Sequence, residues 1–327
     1  MPVSPLARFD VTALGELVID LIPAGRAEDD PLYAARPGGA PANVAAGIAQ
    51  LGLRAAMLSK VGREPFGDLA VRALEKVGVE TGAILRADVE TTALAVVSLD
   101  AAGDRDFAIY RSGCADASYS LEEVDVDLVR NSRVLHVGSL TLGTPVSAAA
   151  QRHAVGVARD AGIFISSDPN FRPGVWRDHE AMLASGREVV ANAEFVKLSA
   201  EELATLTGVG NTALGVRRLW HSGLRVMAVT KGPGGADIFT DGLSVAVEGF
   251  AIEVVDTVGC GDAFMAALLA GLLAADLDRL DRARLAEIGR RASAAGAVMA
   301  TKAGAMARMP RAEEIERLLA SRGVEVI

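Results

Sequence analysis

The sequence predicts an α/β fold: a doubly wound, mostly parallel sheet flanked by helices, with a small β-sheet lid. From Arg133 onward, short strand-like apolar runs alternate regularly with helical patterns. Such alternation is typical of parallel βαβ units covered by helices on both faces. The strand-like segments at about 16–36 and 91–112 do not fit this alternation, so we predict that they form the lid. No linker rich in Pro, Gly or Ser divides the chain, which predicts one domain over residues 1–327.

In the first part of the chain, β-branched residues and alternating apolar residues predict strands, and a 3.6-residue apolar period predicts helices. Glycines at 52 and 78 mark the ends of two helices. Residues 25–31 are predicted to be a turn or loop, and an Ala-Ala-Gly-Asp turn separates the last two strands. The predicted strands are 9–23, 55–62, 91–100 and 106–111, and the predicted helices are 41–52 and 68–78.

In the second part of the chain, strands and helices follow one another in turn. The helix after the Gly-Cys-Gly stretch is apolar nearly all round, which predicts that it is buried. A helix of small residues followed by a glycine turn is predicted at 292–305. The predicted strands are 133–140, 163–170, 194–199, 224–232 and a strand ending at 252–256, and the predicted helices are 146–162, 187–193, 201–208 and 262–275, with a helix end at 217–223.

Composition narrows the class of protein. Half of the residues are hydrophobic and the net charge is −9, which disfavours a nucleic-acid-binding protein. The two cysteines, Cys114 and Cys260, and the absence of a recognisable signal peptide predict a cytoplasmic protein without a disulfide framework. Its apolar runs are shorter than the ~20 residues of a membrane-spanning helix, and its four histidines show no metal-ligand spacing.

The stretch Asp-Thr-Val-Gly-Cys-Gly-Asp-Ala-Phe (256–264) combines a glycine-rich loop with the start of a helix. Unpaired N–H groups and the positive end of the helix dipole make such a start an anion site. Gly259 and Gly261 allow close approach of the backbone because they lack a Cβ. Asp262 has two interpretations: an ordinary helix cap, or a general base beside an anion hole formed by residues 259–261.

Two common phosphate-binding signatures are missing from the chain. It contains no G-x-x-x-x-G-K-[ST] motif, which excludes a P-loop NTPase. It also contains no strand-linked G-x-G-x-x-G, which disfavours a dinucleotide-dependent dehydrogenase. If the chain uses ATP, it therefore binds ATP in a different way.

Two stretches together resemble the signatures of one family. The segments PGGAPANVAAGIAQLG (37–52) and DTVGCGDAF (256–264) are similar to the two signatures of the ribokinase-like sugar kinases of the PfkB family. The resemblance covers nearly the whole chain and is closest to the fructokinase and 2-keto-3-deoxygluconate kinase subgroup. It implies ATP-dependent phosphorylation of a sugar hydroxyl, dependence on Mg²⁺, K⁺ as an additional candidate ion, and a homodimer formed through the lid.

The same resemblance implies roles for individual residues. Asp262 occupies the position of the catalytic base, and Gly259, Cys260 and Gly261 occupy the anion hole. Where Cys260 stands, many relatives have alanine, so we expect its backbone amide to matter more than its thiol. A carboxylate such as Asp20 can accept hydrogen bonds from two adjacent sugar hydroxyls. The implied substrate-binding residues are Asp20, Gly38, Gly39, Asn43, Arg111, Asn170 and Arg172.

The nucleotide side of the site is implied by two further stretches. KLSAEEL (197–203) matches the family's N-x-x-E element, with Ser199 in place of asparagine, and VTKGPGGA (229–236) resembles its T-x-G-x-x-G element. The spacing of Ser199 and Glu202 is also the signature of a capping box, and both roles can hold together. The implied ATP-binding residues are Ser199, Glu202, Thr230, Gly232 and Gly235, with Glu202 also holding Mg²⁺ through water and Asp256 as a candidate for a monovalent cation.

The substrate is left open at this stage between neutral and acidic sugars. A fructokinase is the leading hypothesis, and kinases of 2-keto-3-deoxygluconate or 5-dehydro-2-deoxygluconate are the alternatives. Arg111 would suit an acid sugar, and Arg172 could hold either the γ-phosphate or a substrate carboxylate, but fructokinases have a similar Tyr-Arg. An alternative from another class is a non-catalytic sugar- or nucleotide-binding protein on the same fold.

Overall fold

The computed structural model describes residues 7–28, 30–99 and 105–321. Residue 29 and residues 100–104 of the predicted lid therefore lie outside the described residues. Thirteen strands are present in the described part of the chain: β1 Phe9–Leu14, β2 Val18–Ala27, β3 Asp30–Gly38, β4 Ala55–Gly62, β5 Ile84–Ala87, β6 Ala93–Leu99, β7 Arg105–Tyr110, β8 Ser132–Gly138, β9 Phe164–Asp168, β10 Phe195–Ser199, β11 Val226–Thr230, β12 Ala236–Thr240 and β13 Ser244–Val247.

Nine of these strands form one large sheet in the order β13-β12-β11-β10-β9-β8-β1-β4-β5. Its strands run parallel except for β12, which pairs antiparallel with both β11 and the edge strand β13. The remaining four strands form a separate sheet in the order β3-β2-β6-β7. A mostly parallel sheet with a small second sheet is the predicted fold class.

Helices cover both faces of the large sheet. Neighbouring residues of a strand point to opposite faces, and accordingly Ala13 belongs to one buried cluster and Leu14 to another. The described helices are α1 Ala40–Gln50, α2 Pro65–Lys76, α3 Val126–Arg130, α4 Pro145–Asp160, α5 His179–Ala191, α6 Ala200–Thr207, α7 Thr212–Leu219, α8 Cys260–Leu273, α9 Arg282–Ala300 and α10 Ala312–Ser321. The first cluster includes residues of α1, α8 and α9, and the second includes residues of α4, α5 and α6.

Three predicted elements are wrong. The predicted strand 9–23 is two strands, because the chain leaves the large sheet after Leu14 and enters the small sheet at Val18. The predicted loop at 25–31 lies mostly in the hairpin of β2 and β3, whose pairing continues beyond a bulge between Pro23 and Arg26. The predicted strand end at 252–256 is irregular, and the N–H groups of Val255 and Asp256 donate to Ala300 at the end of α9.

The helices α1 and α8 pack against each other at a glycine. A Cβ atom at Gly47 would lie 2.6 Å from the Cβ of Ala266, closer than two carbon atoms normally approach. Glycine at this position therefore allows the two helix backbones to come together. This contact sets the distance between the two helices, each of which begins next to the cleft described below.

We expect Gly47→Ala to destabilise the protein by about 1–3 kcal/mol, because the added methyl group overpacks the contact between α1 and α8. The matched control is Gly156→Ala in α4, where an added Cβ meets no atom within 4 Å. Urea unfolding followed by circular dichroism measures both free energies. Equal stability of the two variants would show that the α1–α8 contact tolerates a wider spacing.

Candidate active site

The candidate active site lies where the strand order of the large sheet changes direction. β1 has β4 on one side and β8 on the other, and β8 leads on to β9, β10 and β11. In open α/β sheets, ligands bind outside the carboxyl ends of the strands at such a switch point. A cleft of about 570 Å³ opens there, and we call it the polar cleft because its lining includes Glu16, Asp20, Asn43, Asn170, Arg172, Lys197 and Asp262.

A second cavity of about 380 Å³ adjoins the first. We call it the apolar cleft, because Phe250, Ile252, Val254 and Phe264 line it. Three residues predicted to bind ATP also line it: Thr230, Gly232 and Gly235. The two clefts share Thr257 and Gly261, so they meet at the start of α8.

The start of α8 depends on two glycines. Gly259 precedes the helix with a φ of +79°, a left-handed conformation that residues with a side chain rarely adopt. At Gly261 an added Cβ would lie 2.9 Å from the Nζ atom of Lys197. The loop therefore needs glycine at position 259 for its conformation, and at position 261 the absence of a Cβ leaves room for the ammonium group of Lys197.

Asp262 lies in the first turn of α8, is 6% exposed and makes no capping hydrogen bond. Its Oδ2 accepts a hydrogen bond from Asn43 Nδ2 at 2.8 Å, and its Oδ1 accepts one from Asn170 Nδ2 at 3.4 Å. Burial raises the pKa of Asp262 to about 6, and the neighbouring Asp168 adds to the rise. The side chain therefore faces the cleft as a buried carboxylate of raised basicity, rather than serving as a helix cap.

Cys260 lies between the two glycines and lines the apolar cleft. Its N–H donates to the carbonyl of Thr257 at 3.3 Å, so this amide is engaged in the turn. Burial raises the pKa of its thiol to about 11, which keeps the sulfur protonated near neutral pH. The amide of Gly261, which lines both clefts, is thus better placed than that of Cys260 to meet an anion.

Asp20 extends from β2 of the small sheet into the polar cleft. Its carboxylate lies against Gly38, where an added Cβ would be 2.5 Å from Oδ2. Burial raises the pKa of Asp20 to about 6, while Arg172 opposes the rise. Gly39, at the start of α1, has a φ of +112° and packs on the backbone of Glu16.

Asn170 and Arg172 follow β9 at the carboxyl edge of the sheet. Asn170 has a φ of +46°, which is uncommon for a residue with a side chain. Its N–H donates to Asp168 Oδ1 at 3.2 Å, which helps to hold this conformation and to aim the side-chain amide at Asp262. Arg172 is exposed and lowers the pKa of both Asp20 and Asp262.

Ser199 and Glu202 form a capping box at the start of α6, as their spacing predicts. Glu202 Oε2 accepts from the N–H of Ser199 at 2.8 Å, and Oε1 accepts from the N–H of Phe171 at 2.9 Å. Burial raises the pKa of Glu202, and Asp168 adds to the rise. Glu202 therefore joins the loop after β9 to the start of α6 and also lines the polar cleft.

Arg111 does not line the polar cleft in this structure. It is 5% exposed, and its Nε donates to Asp116 Oδ2 at 2.5 Å. Its Nη1 donates to the carbonyl of Leu140 at 3.1 Å. The arginine thus lies behind the cleft wall, paired with an acid of its own chain.

Asp256 is buried and joins the loop before α8 to the turn after α9. Its Oδ1 accepts from the N–H of Val258 at 2.9 Å, and its Oδ2 accepts from the N–H of Gly304 at 3.2 Å. It is also close enough to Asp20 to raise that group's pKa. The structure therefore shows a role for Asp256 in positioning two loops.

Three charged residues of the site were missed by sequence reasoning. Glu16 is 6% exposed; its Oε1 accepts from the N–H of Ala40 at 3.0 Å, and its Oε2 has no hydrogen-bond partner in the described structure. Lys197 Nζ donates to Asp168 Oδ2 at 2.7 Å, and both side chains are buried. Each of the three lies in, or within two residues of the end of, a strand of the large sheet, and this position was the available signal.

Two kinds of feature are absent from the described residues. No group of three or more His, Cys, Asp and Glu side chains in residues 7–28, 30–99 and 105–321 is arranged to hold a metal ion. Over the same residues, every helix is too short or too polar to cross a membrane.

Known proteins resemble the chain over almost its full length. The probable fructokinase-4 of Arabidopsis thaliana is 37% identical over 316 residues, covering 94% of this chain and 96% of that protein. The fructokinase of Xylella fastidiosa with bound ATP has a TM-score of 0.89 and 28% identity, covering 96% of this chain and 99% of that one. The Vibrio cholerae O395 fructokinase, in a form with bound fructose, ADP and calcium ion, has a TM-score of 0.84 and 30% identity, covering 95% and 99%.

The family profile agrees with these similarities. Residues 8–312 match the pfkB family of carbohydrate kinases. The matched residues include both sheets and both clefts. The resemblance found at the two glycine-rich stretches is thereby confirmed. The chain belongs to the pfkB family of carbohydrate kinases.

Proposed function

We propose that this protein is an ATP-dependent fructokinase, with Asp262 as general base. The observation that supports it best is the meeting of two clefts at the first turn of α8. One cleft has the carboxylates and amides that bind hydroxyls, and the other has the apolar walls that suit a nucleobase. The fructokinases that resemble the chain bind ATP, or fructose and ADP.

The reaction needs a proton acceptor next to the attacking hydroxyl. Asp262 accepts the proton of the sugar hydroxyl while the sugar oxygen bonds to the γ-phosphorus and the bond from phosphorus to the β-phosphate oxygen breaks, releasing ADP. Asn43 and Asn170 hold the two oxygens of the base in place. The Gly261 amide, at the positive end of α8, stabilises negative charge on the transferred group.

The negative charge of the ATP phosphates requires cations and hydrogen-bond donors as further partners. Mg²⁺ bound with ATP neutralises phosphate charge and orients the γ-phosphate. Both Glu202 oxygens already accept a backbone N–H, so we propose that Glu202 holds a metal-bound water rather than the ion itself. Ser199, Thr230, Gly232 and Gly235 would contact the nucleotide, and Arg172 the transferred phosphoryl group.

The small sheet forms one wall of the polar cleft, through residues such as Val18, Ala95 and Ile109. We propose that it acts as a lid that limits access of water to the reaction. A homodimer formed through this sheet, a K⁺ ion near Asp256 and a cytoplasmic location remain predictions. Each rests on the family resemblance or on composition.

We expect Asp262→Asn to lower kcat by about 100- to 10,000-fold, because an amide cannot accept the hydroxyl proton. Binding of fructose, measured by calorimetry, should change little. Asp127→Asn is a control, since Asp127 is an exposed residue of α3. Near-normal turnover by Asp262→Asn would exclude Asp262 as the base.

A neutral sugar suits the cleft better than a sugar acid. Arg111, one of the two arginines that could have paired with a substrate carboxylate, is already paired with Asp116, and we assign the other, Arg172, to the transferred phosphoryl group. Glu16 and Asp20 place two acids along the lid side of the cleft. Burial raises the pKa of Glu16 to about 7, so the group is mostly ionised only above that pH. Above pH 7 a substrate carboxylate would therefore meet like charge.

We expect kcat/KM at about pH 8 to be at least about tenfold higher for fructose than for 2-keto-3-deoxygluconate, because a close like-charge contact costs more than the about 1.4 kcal/mol that tenfold represents. Glu16→Gln should narrow this ratio, and so should lowering the pH to about 6, where Glu16 is protonated. Glu75→Gln, on an exposed part of α2, is the control. A preference for the acid sugar would contradict the proposed substrate.

A further inference from the structure

Lys197 is a buried cation directly beneath the start of α8. Its side chain is 7% exposed, and its Nζ donates to Asp168 Oδ2 at 2.7 Å. The ammonium group lies so close to Gly261 that a Cβ there would be 2.9 Å from Nζ. Lys197 therefore contacts the same turn that presents Asp262 to the cleft.

Three acidic side chains lie near Lys197. Asp168 is in contact with it, and Glu202 and Asp262 are close enough to raise its pKa further. Burial alone would lower the pKa of Lys197, but these three acids outweigh burial and keep the pKa above its ordinary value. The lysine is therefore a permanent positive charge among buried carboxylates, which would otherwise take up protons.

Two neutral amides and three charged side chains affect Asp262. Asn43 on α1 and Asn170 after β9 donate to its oxygens. Burial and Asp168 raise its pKa, whereas Asn43, Lys197 and Arg172 lower it. Of the two cations that line the polar cleft in the described structure, Arg172 is exposed to solvent and Lys197 is not. Because burial reduces screening by solvent and salt, the charge of Lys197 acts on Asp262 with less screening than that of Arg172.

Resting on the proposed function, we propose that Lys197 is a positioning residue that keeps Asp262 ionised as a base, and that Asp168 holds the ammonium group in place beneath Gly261. The two partners have opposite effects on Asp262, since one attracts a negative charge and the other repels it. Removal of Lys197 should therefore raise the pKa of Asp262, and removal of Asp168 should lower it. Mere loss of packing would not produce this reversal.

The first experiment measures kcat/KM for fructose from about pH 5 to about pH 9. The wild-type value should fall as the pH drops through about 6, where Asp262 takes up a proton. We expect Lys197→Met to move this acidic limb upward and Asp168→Asn to move it downward, each by about one pH unit. The double variant should lie between them.

Two further variants separate charge from packing. Lys197→Arg keeps the positive charge, so its acidic limb should stay near that of the wild type even if its rate falls. Lys60→Met removes a lysine from another ion pair, with Glu123, and should leave the limb unmoved. Thermal unfolding shows which variants fold; if Lys197→Met does not, Asp168→Asn and Lys197→Arg still test the proposal.

The second experiment does not depend on turnover. Asp262 in the unliganded protein is titrated through the ¹³C signal of its side-chain carboxyl, assigned by its loss in Asp262→Asn. The same order of midpoints is expected: Lys197→Met above the wild type and Asp168→Asn below it. Midpoints that move in one direction, or not at all, would overturn the role of Lys197. A wild-type protein that phosphorylates no sugar would contradict the proposed function instead.

Discussion

The site depends on the rigid placement of one helix start. α8 is buried along nearly its whole length and packs against α1 and α9, so its first turn cannot shift without disturbing the core. Both clefts meet at that turn, and Asn43, on the neighbouring helix α1, donates to Asp262 there. A close glycine contact sets the spacing of the two helices, and the same spacing sets the distance between Asp262, the proposed base, and Asn43.

Acids in the polar cleft are stabilised in different ways. Glu202 and Glu16 accept hydrogen bonds from backbone N–H groups, and Asp262 accepts them from side-chain amides. Asp168 forms an ion pair with a lysine. Backbone donors keep a carboxylate in place without adding a charge, whereas a lysine also changes the ionisation of its neighbours. Asp262, the proposed base, is the acid held by neutral amides, which leaves its basicity adjustable by the charges around it.

Much of the fold and part of the site followed from the sequence. Alternating strands and helices, the separate small sheet and the Ser199–Glu202 capping box depend on local patterns, and the structure confirms them. The strand ending at 252–256 was predicted wrongly, because its apolar run lines a cavity instead of pairing with a strand. Arg111 was expected over the substrate, but its pairing with Asp116 is a tertiary contact that residue type alone does not reveal. Lys197 and Asp168 were missed for the same reason.

Asp262, the proposed base, is also the last residue of the polar cleft to be synthesised. Lys197 and Asp168 are separated by 29 residues, whereas Asn170 and Asp262 are separated by 92, and Asn43 and Asp262 by 219. Because the chain is synthesised from its N-terminus, both partners of the lysine–aspartate pair are present before α8 is translated. A nascent chain therefore contains every other residue of the polar cleft before it has the proposed base, and the complete cleft requires translation of α8.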